Sequence, residues 1–496
     1  MKALVNIPDV LVGLVAVSRD CFPIDLSRTR RARVAEACRA KGLPFVELET
    51  VVESESDALK ALDEARSRGA NALAVYLGNF GPEGPTTLMA QKFGGPVMFA
   101  AAAEETEADL VGGRGDAYCG LLNTSYNCGL RKLRPFIPET PFGLPEAIAG
   151  MMADFVPAAR VVLGVRGLKI FGFGPRPQDF LACNAPVKPL YDLGVEVMEN
   201  SELDLYDIFL KAEGRPEVED VARDMAEELG AGNTYPNLLK KLARYETALM
   251  TFMETHLGAS AYGVFANKCW PAFESFFGFV PCYVNSRLAG RGIPVACEVD
   301  IYGALSEYMA VCATGLPATL LDVNNTVPCD MIVASAGVFR GFKPTDLFMG
   351  FHCGNTPAPC LIEGAMKHQL IMHRLMEPGK DPDITRGTLE GRIRPGGITL
   401  FRLQSTADTV LRSYIAEGDV LDVDPKSFGG IGVFAVPEMG RFYRHVLIEK
   451  RFPHHTAVAF AKAGRALWNA LRMLGVEDVS FNRPKDLPYP TENPFG

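Results

Sequence analysis

Seven histidines occur in the 496 residues, and two of them are adjacent, in "RFPHHTAVAF" (451–460). Neighbouring side chains diverge, to opposite faces of a strand or about 100° apart on a helix, so one site easily takes at most one of His454 and His455. Imidazole carries protons near neutral pH and binds divalent metals, and both tasks need partners. Two carboxylate positions are candidates. Glu298 and Asp300 stand at the end of the apolar run in "GIPVACEVDIYGALSEYM", and residues two apart on a strand share a face. Glu298 has no simple structural duty, whereas Asp300 either joins it or caps the helix that follows. Asp322 repeats the pattern as the first charge at the end of "PATLLDVNN", with Asn324 and Asn325 behind it. Taken alone it reads as a turn former; beside a second strand-end carboxylate it suggests a shared site. His352 lies in the Gly/Pro-rich loop "FMGFHCGNTPAPC", whereas His256, His368, His373 and His445 sit in amphipathic runs and read as structural. Two carboxylates with one or two imidazoles suit manganese or a similar divalent ion better than a thiolate-rich zinc site does.

The surrounding pattern shows what must position these groups. The first third alternates strand-like and helix-like segments: "VGLVAVS", "RTRRARVAEACRAKG", "PFVELET", "ESDALKALDEARSRG", "ANALAVYL". Repeated β-α units of this length imply a parallel sheet with helices on both faces, and such sheets place ligands at the carboxyl ends of their strands. A second α/β series starts at "GLKIFGFGPRPQDFLACN" (167–184). Its "GFGP" lacks the third glycine of a dinucleotide fingerprint and puts Pro175 and Pro177 where a helix should open, so it reads as a plain strand-to-helix turn. From about residue 333, short alternating runs between Gly- and Asp-containing turns predict antiparallel strands. "TAVAFAKAGRALWNALRMLG" predicts a closing helix that ends at Gly475. The expected fold is α/β: two α/β domains with parallel sheets, 1–165 and 166–332, then a β-rich C-terminal domain, 333–496. The central domain carries the carboxylates.

Bulk properties narrow the function classes. A chain this long exceeds one hydrophobic core. With 48% hydrophobic and 22% charged residues and a net charge of −9, it is neither a general nucleic-acid binder nor an anionic-membrane binder. The N-terminal apolar stretch is broken by Asp9, and no uninterrupted apolar run approaches the eighteen or so residues of a membrane span. Twelve cysteines without a CxxC pair read as buried thiols in a reducing cytoplasm.

In their order and separations, "PVACEVDIYGALSEYM", "LLDVNN", "FHCGNTP" and "HHTAVAF" resemble the L-fucose isomerase and L-arabinose isomerase family. The similarity extends to "VAVSRDCFP" and "LGNFGPEGP" near the N-terminus. It implies a metal-dependent aldose–ketose isomerase, using Mn²⁺ or another divalent cation, that moves a proton between C1 and C2 through a cis-enediol. Glu298 matches the family's metal-binding glutamate and Asp322 its second acidic ligand, and the same two carboxylates are the proton-transfer candidates. His455 matches the second histidine of the "HHT" motif, with His454 supporting from behind, and His352 matches an extra metal histidine of the arabinose type. Family members assemble as trimers or hexamers in which an N-terminal domain covers a neighbour's site. Arg19, Asp20 and Phe80 are candidates to cross that boundary. Trp270 offers an aromatic face to a sugar or to the core. The sugar itself stays open, including one with an anionic substituent. The competing reading is a non-catalytic sugar-binding or sensor protein on the same scaffold.

Overall fold

The computed structural model describes residues 4–339 and 341–495, which divide into two compact units. The first consists of Pro8–Leu163 with Arg465–Val476. Its strands β1 (Val12–Val17), β2 (Phe45–Val52), β3 (Ala72–Leu77), β4 (Val97–Ala102) and β5 (Phe142–Gly143) form a parallel sheet in the order β2-β1-β3-β4-β5. β1, β3 and β4 are buried along their whole length, which is why they read as continuous apolar runs rather than alternating ones. Helices Ile24–Ala40, Glu55–Ser67 and Glu83–Phe93 make the crossovers, the second fixed at its start by a capping box between Ser54 and Asp57. Helix Pro145–Arg166 is the one helix among the described residues long and apolar enough to cross a membrane by length and composition; 61% of that stretch is buried in the protein, as in a core helix.

The second unit contains Gly164–Gly464 and short pieces from both ends of the chain. β6 (Leu168–Phe173), β7 (Glu196–Asn200), β8 (Tyr262–Ala266) and β9 (Val295–Ala296) form a parallel sheet ordered β7-β6-β8-β9. A larger sheet follows, from β10 (Ala318–Asn325), β11 (Leu347–His352), β12 (Leu361–His368), β13 (Arg386–Ile393), β14 (Gly396–Ser405), β15 (Leu411–Leu421), β16 (Gly430–Ala435), β17 (His455–Ala459) and β18 (Asp478–Phe481). Its order is β12-β13-β16-β11-β10-β17-β14-β15-β18, antiparallel except for the β13–β16 and β15–β18 pairs. Two parallel-sheet regions followed by a β-rich one is the expected fold class.

Helix Ile301–Thr314 joins the two sheets of this unit, packing on β8 and β9 and on β10, β14 and β17. Every residue from Ile301 to Ala313 is buried, which accounts for a helix that is apolar all round. The expected closing helix is shorter than its sequence suggested. Residues 455–459 form β17, a central strand buried throughout, and the helix runs only from Gly464 to Leu474, with β18 after it. A five-residue apolar run is compatible with strand or helix, and here the open position between β10 and β14 decides.

Candidate active site

The site forms where the carboxyl edge of the small parallel sheet meets β10, β11 and β17. β9 ends at Ala296, so Glu298 and Asp300 do not share a strand face as expected. Glu298 (φ 58°) and Val299 (φ 57°) instead make a turn with two successive left-handed residues. A β-branched valine there is strained, at a cost of about 1–3 kcal/mol that the packing around it must offset. Gly174, at the end of β6, makes room for this turn: a Cβ at that position would lie 2.6 Å from a Val299 methyl. The turn separates the two acids. Asp300 caps helix Ile301–Thr314 by accepting the Gly303 N–H at 2.8 Å, and Glu298 projects the other way.

His455 opens β17 directly opposite Asp322 of β10, so antiparallel register brings imidazole and carboxylate together. Thus Asp322 is not on a strand of the parallel sheet. It reaches the site from the large sheet, as does His352, which ends β11 rather than lying in a loop. Glu298 Oε2 is 3.1 Å and Asp322 Oδ1 3.5 Å from His455 Nε2. On the other edge of the ring, His455 Nδ1 is 2.8 Å from Asp300 Oδ2, and facing a carboxylate it must donate. Arg402 of β14 holds Asp300 with a two-pronged fork at 2.6 and 2.8 Å and also donates to Gln404 Oε1. The hydrogen-bond partner behind His455 is therefore Asp300. His454 diverges from its neighbour: it is one-third exposed, 3.6 Å from Asp322 Oδ1, and its ring stands edge-on to Phe180 at 5.3 Å.

Charge follows this geometry. Burial alone would raise the Asp300 carboxyl, but Arg402 and His455 hold it well below the usual range. Glu298 feels the same burial and is likewise lowered by His455. Asp322 is pushed up to about 6, by burial and then by the Glu298 charge. His455 is raised well above an ordinary imidazole because Asp300 and Glu298 outweigh its burial, while burial pushes His352 and His454 down to about 4.

These donors fit a divalent ion. With Nδ1–H committed to Asp300, the neutral ring presents a lone pair at Nε2, and both Nε2 and Asp322 Oδ1 are buried without a hydrogen-bond partner. Two acceptors about 3 Å apart repel unless a positive charge lies between them, and a proton or a metal ion meets that need. Octahedral or tetrahedral shells with bonds of about 2.1 Å have ligand–ligand edges of roughly 3.0–3.4 Å. The 3.1 Å separation lies in that range and the 3.5 Å one just above it. Three groups that could hold a metal overlap here, all containing His455: with Glu298 and His454, with Asp322 and His352, and with Cys183 and Asp300. In His352, Nδ1 accepts the Cys353 N–H at 2.9 Å, so the neutral ring carries its proton on Nε2 and presents a donor.

The other expected residues divide by unit. Trp270, half-buried, meets Phe180 edge-on at 6.3 Å and so reaches His454 through that ring. Asn324 is exposed, and its side-chain oxygen accepts from Asn325 Nδ2 at 2.6 Å. Arg19 and Phe80 belong to the first unit, where the guanidinium lies 5.2 Å from the ring centre and reaches the Gly81 carbonyl. Sequence reasoning missed Arg402, Gln404, Phe180 and Cys183, whose Sγ is 3.8 Å from His455 Nδ1 and 4.0 Å from Glu298 Oε2. A signal for Arg402 existed: it is the one charge in the apolar strand "ITLFRL".

Comparison with known proteins adds a lineage. Residues 13–166 match the fucose/sulfoquinovose isomerase N-terminal domain and residues 350–481 the L-fucose isomerase C-terminal domain. A sulfoquinovose isomerase of Clostridium sp. (strain MSTE9) is 28% identical over 60% of this chain and 61% of its own length. That of Alkalicoccus urumqiensis is 26% identical over 68% and 71%, and that of Priestia aryabhattai 23% over 93% and 97%. A solved periplasmic solute-binding protein from Actinobacillus succinogenes with bound D-allose covers 54% of this chain and 82% of its own, at 10% identity. Its TM-score of 0.16 carries no argument.

Proposed function

Because the chain belongs to the fucose/sulfoquinovose isomerase family of enzymes, we propose that it is a metal-dependent aldose–ketose isomerase. It acts on an open-chain sugar through a cis-enediol, with a sulfonated hexose of the sulfoquinovose type as its substrate class. What supports the reading is the approach of Glu298 Oε2 and Asp322 Oδ1 to Nε2 of His455, at 3.1 and 3.5 Å, with Nε2 and Asp322 Oδ1 buried and unpartnered. Those three residues would hold a divalent cation, Mn²⁺ by the oxygen-rich character of the set. When bound, the cation supplies polarisation of the sugar carbonyl and stabilisation of the negative charge that develops on the enediol oxygens.

The chain's own groups do the rest. Glu298 and Asp322 are the carboxylates that remove the proton from one of C1 and C2 and return it to the other. Asp300 holds Nδ1–H of His455 and thereby fixes the tautomer and the ring orientation, and Arg402 fixes Asp300. The His352 Nε2–H is a donor for a sugar oxygen. Trp270 and Phe180 offer aromatic surface beside His454. Arg19 and Phe80 act across a subunit boundary in a homo-oligomer, a trimer or hexamer. All twelve cysteines are free, eight of them buried, which suits a cytoplasmic enzyme.

The test is ketose formation from sulfoquinovose by protein stripped of metal and then titrated with Mn²⁺, in deuterated water. Activity that depends on added cation, with solvent deuterium entering at the proton-transfer carbon, is the expected result. Full activity in metal-free protein would overturn the mechanism, and saturable sugar binding without any ketose would favour the sensor reading.

A further inference from the structure

Arg176 has no role in the site described above, yet the chain around it borders that site on both sides. It follows β6, the strand next to β8 and one removed from β9, whose carboxyl ends lead to Trp270 and Glu298. Two residues before it, Gly174 packs against Val299, the neighbour of Glu298. Four residues after it, Phe180 stands against His454 and Trp270, and three further on Cys183 touches His455 and Glu298. The turn between is tight, with Phe180 N–H donating to the Pro177 carbonyl at 2.9 Å and Gln178 in a left-handed conformation at φ 38°. Arg176 is thus held in a short span pinned to the site at both ends.

Its pairing is incomplete. The Nε of Arg176 is buried without a hydrogen-bond partner, and no carboxylate forms an ion pair with the guanidinium among the described residues. The acids of the neighbouring site are committed elsewhere: Arg402 pairs with Asp300, Lys268 with Glu202 at 2.9 Å, and His455 with Glu298. Arg176 is half-buried: its Nε–H is withheld from water without an acceptor, while the outer nitrogens have neither a buried position nor a carboxylate partner and remain accessible to an anion. Its planar fork matches the tetrahedral oxygens of sulfonate and phosphate, which take two parallel N–H bonds.

We propose that Arg176 is the specificity-determining residue for an anionic substituent on the sugar, binding a sulfonate-type oxyanion at the end of the substrate remote from C1 and C2. The inference rests on the isomerase reading above and deepens its substrate class. Binding energy from such a remote group serves to position the reacting carbons, so an uncharged sugar is bound less well by the wild-type enzyme.

The experiment compares sulfoquinovose with D-glucose, its uncharged counterpart, in Mn²⁺-loaded wild-type enzyme and in Arg176→Gln and Arg176→Lys. Arg176→Gln should raise KM for sulfoquinovose about 10- to 100-fold, leave KM for glucose and the Mn²⁺ affinity unchanged, and abolish competitive inhibition by methanesulfonate. Arg176→Lys, which keeps the charge but not the fork, should fall between. Unchanged KM and unchanged methanesulfonate inhibition in Arg176→Gln overturn the inference while leaving the isomerase standing. Wild-type enzyme that isomerises only the uncharged sugar overturns both the inference and the sulfonated substrate class. If the glutamine variant does not fold, phenylglyoxal labelling of Arg176 in wild-type protein decides: methanesulfonate should slow it, and equal labelling with and without the anion counts against the proposal.

Discussion

Two buried charge clusters of the second unit look alike in composition and differ in how they close. Around Arg287, each guanidinium nitrogen lies within 3.0 Å of a carboxylate oxygen, from Glu246, Asp224 and Glu228. Arg291 adds a second cation on Glu246 and Asp224, and Tyr283 donates to Glu228. Around His455 there are also three carboxylates but one guanidinium, and of the three Arg402 holds Asp300 only. Glu298 and Asp322 face the other nitrogen of His455 at 3.1 and 3.5 Å, and among the described residues neither pairs with an arginine or lysine. The first cluster ties helices Glu217–Leu229, Leu239–His256 and Cys282–Ala289 together; the second keeps coordination positions open. Buried charge whose partners are all within the chain is structural, and buried charge that lacks a cation points to a ligand.

The sharpest break of this contrast is at the open cluster. His455→Ala, Glu298→Gln and Asp322→Asn should each lower kcat about 10²- to 10⁴-fold or more and weaken Mn²⁺ binding; for the two isosteric carboxylate variants the thermal stability of the metal-free protein should be nearly unchanged. A variant that keeps normal turnover removes its residue from the site. At the closed cluster the pattern inverts. Arg287→Met leaves Glu246 buried without its main partner and should cost about 3–5 kcal/mol of stability in chemical denaturation, while Mn²⁺ affinity of the folded fraction is retained.

Intermediate effects sharpen the reading of the two edges of His455. Asp300→Asn removes the carboxylate that holds Nδ1–H, and should weaken Mn²⁺ binding about 10- to 100-fold by calorimetry. His454→Ala takes no hydrogen bond from His455 and should weaken it less; equal losses would mean that the histidines act together. The smallest effect concerns a buried carboxyl outside both clusters. Glu274 is fully buried with neither oxygen partnered, and burial pushes it up to about 8. Between the ordinary glutamate value near 4.5 and 8, the unfolded chain has released this proton and the folded chain has not, so its contribution to stability falls as pH rises. Glu274→Gln should therefore exceed wild type by about 2 kcal/mol at pH 6, with no difference below pH 4.5 and no further growth above pH 8. A difference independent of pH would show that Glu274 is ionised in the folded protein.

Much of this molecule was legible in its sequence. The βαβ rhythm of the first unit follows from apolar runs of strand length alternating with amphipathic helices, because strands buried on both faces need no alternation. Among the residues proposed to carry the chemistry, Glu298 and Asp322 stood out because charge at the end of an apolar run is costly without a purpose, and His352 and His455 because histidine is scarce in this chain. Residue types and local spacing carry that information. What they could not carry was the pairing of distant segments. Only the register of β10 against β17 sets Asp322 opposite His455, across more than 130 residues, and a slip of one residue would turn His455 away and present His454. Only the left-handed turn at Glu298 and Val299 sends Glu298 and Asp300 to opposite edges of one ring, where the strand reading put them on one face. Arg402 acquires its purpose from Asp300, 102 residues away. Sequence determined which groups could do chemistry; tertiary packing decided which nitrogen of His455 is held and which is left open, because hydrogen-bond direction depends on where partners lie in space.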